Sequence, residues 1–283
     1  MKVLRGSDAG EWLQGRIPTF GGRVRDVAGE GFEAYVRVMH PLRGRRLDWS
    51  DRGSGMVPSV VDERRWTWAE LASALGRTAH PLMQWHALAR EAVVRWGDGW
   101  EVDQPEQGAF EPELFARLVP ALLEATSTPD DAVVGFWTGS SGLHPGGRHV
   151  MVATEAAAGL EATALPQLPM IDAGIVEAIA AGDVLALPGR EYVLLGGALA
   201  ELADPDWGFA AGVGWWASFR DPTPQLVWPQ DHAWLVATEV DFDSTLVAGA
   251  RGLIDAVVAV PGLESFEVGP DDDLTSDGDV VNR

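Results

Sequence analysis

Three carboxylates alternate with apolar residues in the stretch TEVDFDSTLVAGARGLIDAV, residues 238–257. In a β-strand, Glu239, Asp241 and Asp243 would point to one face, and three carboxylates on one face can hold Mg²⁺ or Ca²⁺. The DxD spacing is also found in enzymes that hold a sugar nucleotide through a metal. One hypothesis is therefore a Mg²⁺-dependent enzyme that acts on a phosphorylated or sugar substrate through these three residues.

The same stretch has a simpler interpretation as the polar face of a strand that leads into a helix. Asp243 or Ser244 would then cap a helix predicted over residues 246–260, because short polar side chains accept hydrogen bonds from the first free backbone N–H groups of a helix. The segment DFDSTL also lacks the glycine that a calcium-binding loop needs. We favour the cap and expect no metal.

Aromatic side chains supply a second possible binding chemistry. The chain has 13 Trp and only 2 Tyr, and several Trp crowd the glycine-rich segment DWGFAAGVGWWASF, residues 206–219. Adjacent tryptophans in a strand cannot both face one core, so one of them is expected to be exposed. The alternative is a small core beneath a long loop. The predicted ligand-binding surface comprises Trp207, Trp215, Trp216, Trp228 and His232.

No other motif predicts catalysis. The six His residues form no HxxxH pattern, so a zinc site is unsupported. The segment GSSG, residues 139–142, fits neither the GxSxG nucleophile elbow nor a phosphate-binding loop. We therefore predict no catalytic residue and no cofactor.

The elements that would position these residues follow from apolar periodicity and from turn signals. Strands are predicted over 34–40, 131–139, 183–197 (two strands joined by a Pro-Gly turn), 226–228, 233–242 and 265–268. Helices are predicted over 67–76, 80–97, 112–125 and 246–260. Because strands and helices are interspersed without regular βαβ spacing, the pattern predicts an α+β fold, with a mixed, mainly antiparallel sheet and several packed helices.

The length and the distribution of polar residues suggest how the chain is divided. Residues 1–269 are predicted to form a single α+β domain, within which residues 1–126 could form an N-terminal lobe. Residues 270–283 are acidic, and we expect them to be a disordered tail.

Charge and cysteine content exclude some classes of protein. Residues 1–65 hold 12 basic and 9 acidic residues, a net charge of +3, whereas the remainder holds 9 basic and 33 acidic residues, a net charge of −24. So acidic a body repels phosphate backbones, which argues against nucleic-acid binding. The run RGRRLDW, residues 43–49, is expected to be a solvated loop, with an anion or partner patch as the alternative.

Several features favour a cytoplasmic protein. No apolar run is long enough for a membrane helix, the N-terminus lacks the apolar stretch of a secretory signal, and there is no Cys. A chain without Cys has no disulfides, which fits a reducing compartment.

Five segments of this chain resemble a family of uncharacterised bacterial (actinobacterial-type) proteins. They are YVRVMHPL (35–42), TWAELA (67–72), HPLMQW (80–85), GREYVLLGGAL (189–199) and LVWPQDHAWLVATEVDFDSTLVAGARGLIDAVV (226–258). The resemblance covers most of the chain except about 140–180. It implies a shared cytoplasmic fold and assigns no role to any residue.

These observations together favour binding over catalysis. We predict a cytoplasmic, non-catalytic binding or interaction protein whose partner is a small molecule or a protein of unknown identity. The Mg²⁺-dependent enzyme is the alternative.

Overall fold

The computed structural model describes residues 1–48, 58–145, 171–217 and 219–283. Within these ranges the chain forms two sheets flanked by short helices, which confirms the predicted α+β fold. No helix in this part of the chain is long and apolar enough to cross a membrane.

Thirteen strands are found in the described residues. They are β1 (Lys2–Val3), β2 (Ala34–Met39), β3 (Leu42–Asp48), β4 (Ser59–Trp66), β5 (Val93–Arg95), β6 (Trp100–Asp103), β7 (Ala132–Trp137), β8 (Leu185–Leu187), β9 (Arg190–Gly197), β10 (Leu226–Pro229), β11 (Leu235–Ala237), β12 (Ser244–Gly249) and β13 (Ser265–Val268). The large sheet has the order β1-β9-β7-β10-β11-β12-β2-β13, with β8 paired to β9. The small sheet has the order β4-β3-β6-β5.

Eight α-helices accompany the strands in the described residues. They are α1 (Glu11–Gln14), α2 (Val24–Ala28), α3 (Trp68–Ala74), α4 (Trp85–Leu88), α5 (Pro112–Glu124), α6 (Ala173–Ala181), α7 (Trp207–Ala211) and α8 (Arg251–Val258). Short 3-10 turns occur at Asp8–Gly10, Ser141–Leu143 and Leu199–Ala203.

The large sheet is buried on both faces, because its strands send alternate side chains to opposite sides. On β2, Val36 and Val38 join the core under α5, α6 and α8, whereas Tyr35 joins the core under α1 and α2. A third core lies between the small sheet and helices α3 and α4, and it contains Leu42, the first residue of β3. The two sheets are therefore joined through the short link between β2 and β3, and β2 itself lies between β12 and β13.

Local signals located several elements well. Thr67 caps α3 as predicted, since Thr67 Oγ1 accepts from the N–H of Glu70 (3.0 Å) and Glu70 Oε2 accepts from the N–H of Thr67 (2.8 Å). Helix α5, strands β2, β7, β10 and β13 and the β8–β9 hairpin also lie where they were predicted.

The predicted helix over 246–260 is wrong in its first half. Residues 244–249 form β12, which is buried throughout between β11 and β2, and α8 begins only at Arg251. A short apolar run cannot be assigned to helix or strand by periodicity alone, and here two neighbouring strands supply its backbone partners. The strand predicted over 233–242 likewise ends at Ala237.

The predicted helix over 80–97 is also wrong. Only α4 is helical there, and Val93–Arg95 pairs with β6 in the small sheet. The run RGRRLDW is not a loop: β3 covers it up to Asp48, and Trp49 lies outside the described residues.

Residues 270–283 do not form the disordered tail that was predicted, because they contact the rest of the protein. Leu274 is buried and donates its backbone N–H to Gly22 O (2.8 Å). The Asp279 carboxylate is fully buried and accepts hydrogen bonds from His80, Gln84 and Asn282. Acidic composition suggested solvation, but specific donors compensate for burial of this carboxylate.

Candidate functional site

The predicted aromatic surface over residues 207–232 does not exist as one exposed patch. Trp207 and Trp215 are buried together in the core under α5, with ring centroids 5.3 Å apart. The indole of Trp215 donates to Pro222 O (2.8 Å), which satisfies its polar atom. Trp216 is half-buried and stacks on Phe219.

Trp228 and His232 lie on the opposite side of the large sheet. Trp228 is fully buried in the core under α1 and α2, and Trp12 packs edge-on against it. His232 stacks on Trp12 with a centroid distance of 4.3 Å. Burial and the nearby Arg16 lower the pKa of His232. Of the five predicted residues, Trp207 and Trp215 lie in one core and Trp228 in the other, whereas Trp216 and His232 are half-buried and belong to neither core.

The three carboxylates Glu239, Asp241 and Asp243 do not converge either. Arg190 binds Glu239 and Asp241, the latter with Nη2–Oδ2 at 2.9 Å. Asp243 instead binds Arg37, with Nη2–Oδ1 at 3.0 Å. Among the described residues, no group of three or more His, Asp and Glu is placed to hold a metal ion. Asp243 is not a helix cap, because β12 follows it directly and α8 begins only at Arg251, whose N–H donates to Glu33.

Arg37 is a buried arginine at the junction of the two sheets. Its Nε donates to Ser244 Oγ (2.8 Å), and Nη1 donates to the carbonyls of Pro81 (2.9 Å) and Met83 (3.0 Å). These bonds hold the loop before α4 against the large sheet. Burial lowers the pKa of Arg37, and the charge of Asp243 opposes that shift. Loss of either partner of such a buried ion pair is strongly destabilising, because the other partner is left as an uncompensated charge.

His40 extends this polar cluster on the far side of Asp243. Its backbone N–H donates to Asp243 O (2.9 Å), and its ring lies between Glu106 O (2.8 Å) and Thr245 Oγ1 (3.0 Å). A carbonyl can only accept, so Nδ1 carries the proton and Thr245 donates to Nε2. Burial lowers the pKa of His40, which favours this neutral form.

A cleft of about 330 Å³ opens beside this cluster, and we call it the junction cleft. It lies between α4, the segment after β6, the segment before β12 and the C-terminal segment. Its lining residues are Gln84, Trp85, His86, Arg90, Glu91, Ala92, Gln104, Gln107, Asp241, Phe242, Asp243, Leu274, Thr275 and Ser276. The volume lies at the lower end of the range for small-molecule sites.

Asp243 is the most buried charged side chain of this lining. Its side chain is 8% exposed, yet within the described part of the chain its only ion pair or side-chain hydrogen bond is that of Oδ1 with Arg37. The second oxygen, Oδ2, accepts from no described residue. Because buried carboxylate oxygens are normally hydrogen-bonded, an oxygen without a described donor, on a residue that lines the cleft, is suited to accept from a ligand.

Arg90 supplies a cation at the rim of the cleft. It follows α4 with a φ of 62°, a left-handed conformation that is uncommon for a residue other than Gly, Asn or Asp. Its guanidinium makes no ion pair or side-chain hydrogen bond within the residues that the structure describes. Backbone strain of this kind is enriched at ligand sites.

Sequence reasoning found Asp241 and Asp243 but missed Arg37, Arg90 and the three glutamines of the cleft. The one available signal was Arg37 itself, a charge within the otherwise apolar strand AYVRVMH. Its partner lies 206 positions away, so the sequence did not indicate that the charge is paired.

Comparison with protein-family models, with curated proteins and with solved structures found no match for this chain. The resemblance to an actinobacterial-type family therefore stays a prediction, and the site must be interpreted from its own geometry.

Proposed function

We propose that the protein is a cytoplasmic, non-catalytic binding protein and that its ligand occupies the junction cleft. The observation that carries this proposal concerns the carboxylate of Asp243, which lines the cleft. Its Oδ1 accepts from Arg37, whereas its Oδ2 accepts from no described residue. The absence of Cys fits a reducing compartment.

The chemistry of the lining favours a small zwitterion or an amide-bearing analogue. Asp243 and the oxygens of Gln84, Gln104 and Gln107 offer acceptors to an amine or amide, and Arg90 offers a cation to an acidic group. Trp85 and Phe242 add apolar surface. The formal net charge of −21 also favours ligands that carry a positive group.

Binding without chemistry is favoured by the contacts of the hydroxyls in the cleft. Activation of a nucleophile needs a base in hydrogen-bond contact with it. Among the described contacts, neither the Thr275 hydroxyl nor the Ser276 hydroxyl bonds to a His or a carboxylate. The Thr275 hydroxyl accepts from the N–H of Asp277, and it is the backbone N–H of Thr275 that donates to the Asp273 carboxylate.

Thermal unfolding in the presence of a panel of small molecules tests the proposal. The panel contains amino acids, amines that lack the acidic group and acids that lack the amine. We expect the zwitterions to raise Tm most, because a ligand that binds only the folded state stabilises it by RT ln(1 + [L]/Kd), so that at equal concentration the tightest binder stabilises it most. Arg90→Gln should reduce the response to zwitterions and leave the response to simple amines unchanged.

Asp243→Asn should lower the Tm of the unliganded protein, because Arg37 loses its counter-charge, and should abolish the further rise in Tm with both amine classes, because the anionic acceptor is gone. The matched control is Asp255→Asn on the exposed face of α8, which should respond like the wild type. If acids alone stabilise the wild type, or if Asp243→Asn responds like the control, the proposed site is wrong.

A further inference from the structure

Strand β4 is an edge strand that solvent reaches on both faces. It lies at one end of the small sheet, and within the described ranges no strand pairs with its outer edge. Residues Ser59–Arg65 are all exposed and Trp66 is half-buried. Long exposed edges invite pairing with another chain, and proteins usually keep edge strands short or cover them.

The charges along β4 are arranged so that two antiparallel copies of the strand would place acidic residues beside basic ones. Asp62 and Glu63 are followed by Arg64 and Arg65, so the strand runs from two acids to two bases. In an antiparallel pair of identical strands, the acidic half of each copy lies beside the basic half of the other. Unlike charges across a strand pair are stabilising, whereas like charges are not.

We propose that β4 is a homodimer interface, in which the β4 strands of two copies pair antiparallel. A two-fold axis perpendicular to the sheet and passing at Glu63 places Asp62 opposite Arg64 of the second copy. The two Glu63 side chains then face each other at the axis, which is an unfavourable contact of like charges, and Arg65 of each copy lies diagonally beside them and offsets it. The pairing would join two four-stranded sheets into one of eight strands.

The acidic residues of β4 are available for this pairing. Within the described residues, neither Asp62 nor Glu63 makes an ion pair or a side-chain hydrogen bond. Arg64 has an exposed partner in Glu70 at 3.5 Å, and Arg65 binds Glu111. The Arg64–Glu70 pair is exposed on both sides and contributes little stability, so its exchange for a partner on the second copy is inexpensive. In the Arg65–Glu111 pair only the Arg65 side chain is exposed.

Aromatic packing holds the basic end of β4 in place. The Trp66 ring lies 5.3 Å from the stacked ring of Trp96, and the guanidinium carbon of Arg64 lies 3.9 Å from the Trp66 ring centroid. Gly44 permits this arrangement, because a Cβ there would lie 2.4 Å from Trp66 Nε1. A preorganised side chain loses less entropy on binding.

Apolar side chains at the opposite end of β4 complete the match. Val60 and Val61 are each 50% exposed, which is high for valines in a strand. Antiparallel pairing brings Val60 next to Trp66 of the second copy, and the regular register ends at the β-bulge that Val61 forms in the pairing with β3. Apolar surface that is exposed in one copy is thereby covered in the dimer.

The mass of the protein in solution, measured by light scattering across micromolar concentrations, tests the proposal with two charge variants. Arg64→Glu/Arg65→Glu makes the strand wholly acidic, and Asp62→Arg/Glu63→Arg makes it wholly basic. We expect the wild type to have the mass of two chains and each variant to have the mass of one. A one-to-one mixture of the two variants should recover the mass of two.

Circular dichroism shows whether both variants fold, which the exposure of all four positions leads us to expect. The recovered heterodimer should weaken as salt rises, because its ion pairs are exposed and screened. A wild type that stays monomeric, or folded variants that do not associate on mixing while the wild type is dimeric, would overturn the proposal. This inference does not depend on the ligand proposed for the junction cleft.

Discussion

At the scale of single residues, the ion pair between Arg37 and Asp243 matters more than any exposed pair of this protein. Both side chains are buried, and Arg37 also donates to Ser244 and to two backbone carbonyls. Removal of one partner of a buried pair leaves the other as an uncompensated charge, and that penalty exceeds the attraction itself.

Replacement of Arg37 by Leu should therefore lower the free energy of unfolding by about 3–5 kcal/mol, measured by urea denaturation. The double variant Arg37→Leu/Asp243→Leu should recover part of that loss, because it buries no charge. Arg5→Leu, which breaks an exposed pair with Glu177, is the control and should cost less than about 1 kcal/mol. Equal effects of Arg37→Leu and Arg5→Leu would mean that Arg37 is solvated.

At the scale of elements, the C-terminal segment is docked on the rest of the protein and is not a free tail. Asp279 accepts from the side chains of His80 and Asn282 and from the N–H groups of Gln84 and Val281. Burial by itself would raise the pKa of Asp279, but hydrogen bonds from Asn282, Gln84 and His80 outweigh it and lower the pKa. The segment thereby joins the chain end to the loop before α4.

Asp279→Ala should lower the free energy of unfolding by about 3 kcal/mol, because several buried donors lose their acceptor. Deletion of residues 271–283 should lower the melting temperature further, since it also exposes the pocket that Leu274 fills. Asp277→Ala, two positions away and exposed, is the matched control and should change stability little. A deletion variant that melts like the full chain would show that the segment does not dock.

At the scale of the whole molecule, the two sheets share connections that make independent unfolding unfavourable. Strand β2 of the large sheet continues into β3 of the small sheet, and Arg37 ties both to the loop before α4. Met39 from β2 also packs in the core of the small sheet. Separation of the sheets would expose this core and the Arg37 pair together.

We therefore expect one unfolding transition. Native-state hydrogen exchange should give the same free energy of opening for the amides of β6 in the small sheet and β7 in the large sheet. Far-UV circular dichroism and Trp emission should report the same denaturation midpoint. Earlier exchange of β6, with β7 still protected, would show instead that the small sheet unfolds on its own.

The sequence by itself determined the elements whose signals are local. The capping box of Thr67 and Glu70 is formed by residues three positions apart, and the Pro-Gly turn between β8 and β9 lies within a single hairpin. The alternation of β2 also predicted a strand. In each case the backbone partners or the periodicity lie within a few residues, so neighbouring residue types suffice to define the structure.

Only the tertiary structure decided the role of residues whose partners are distant in the chain. Residues 244–249 form a strand and not a helix because β11 and β2 supply their backbone partners. Asp243 pairs with Arg37, and does not bind a metal or cap a helix, because the fold brings it to a residue that is 206 positions away. The same holds for the tryptophans, since each could lie in a core or on a surface until the sheets pack. Burial and ion pairing are properties of assembled surfaces, and local sequence does not specify which surfaces meet.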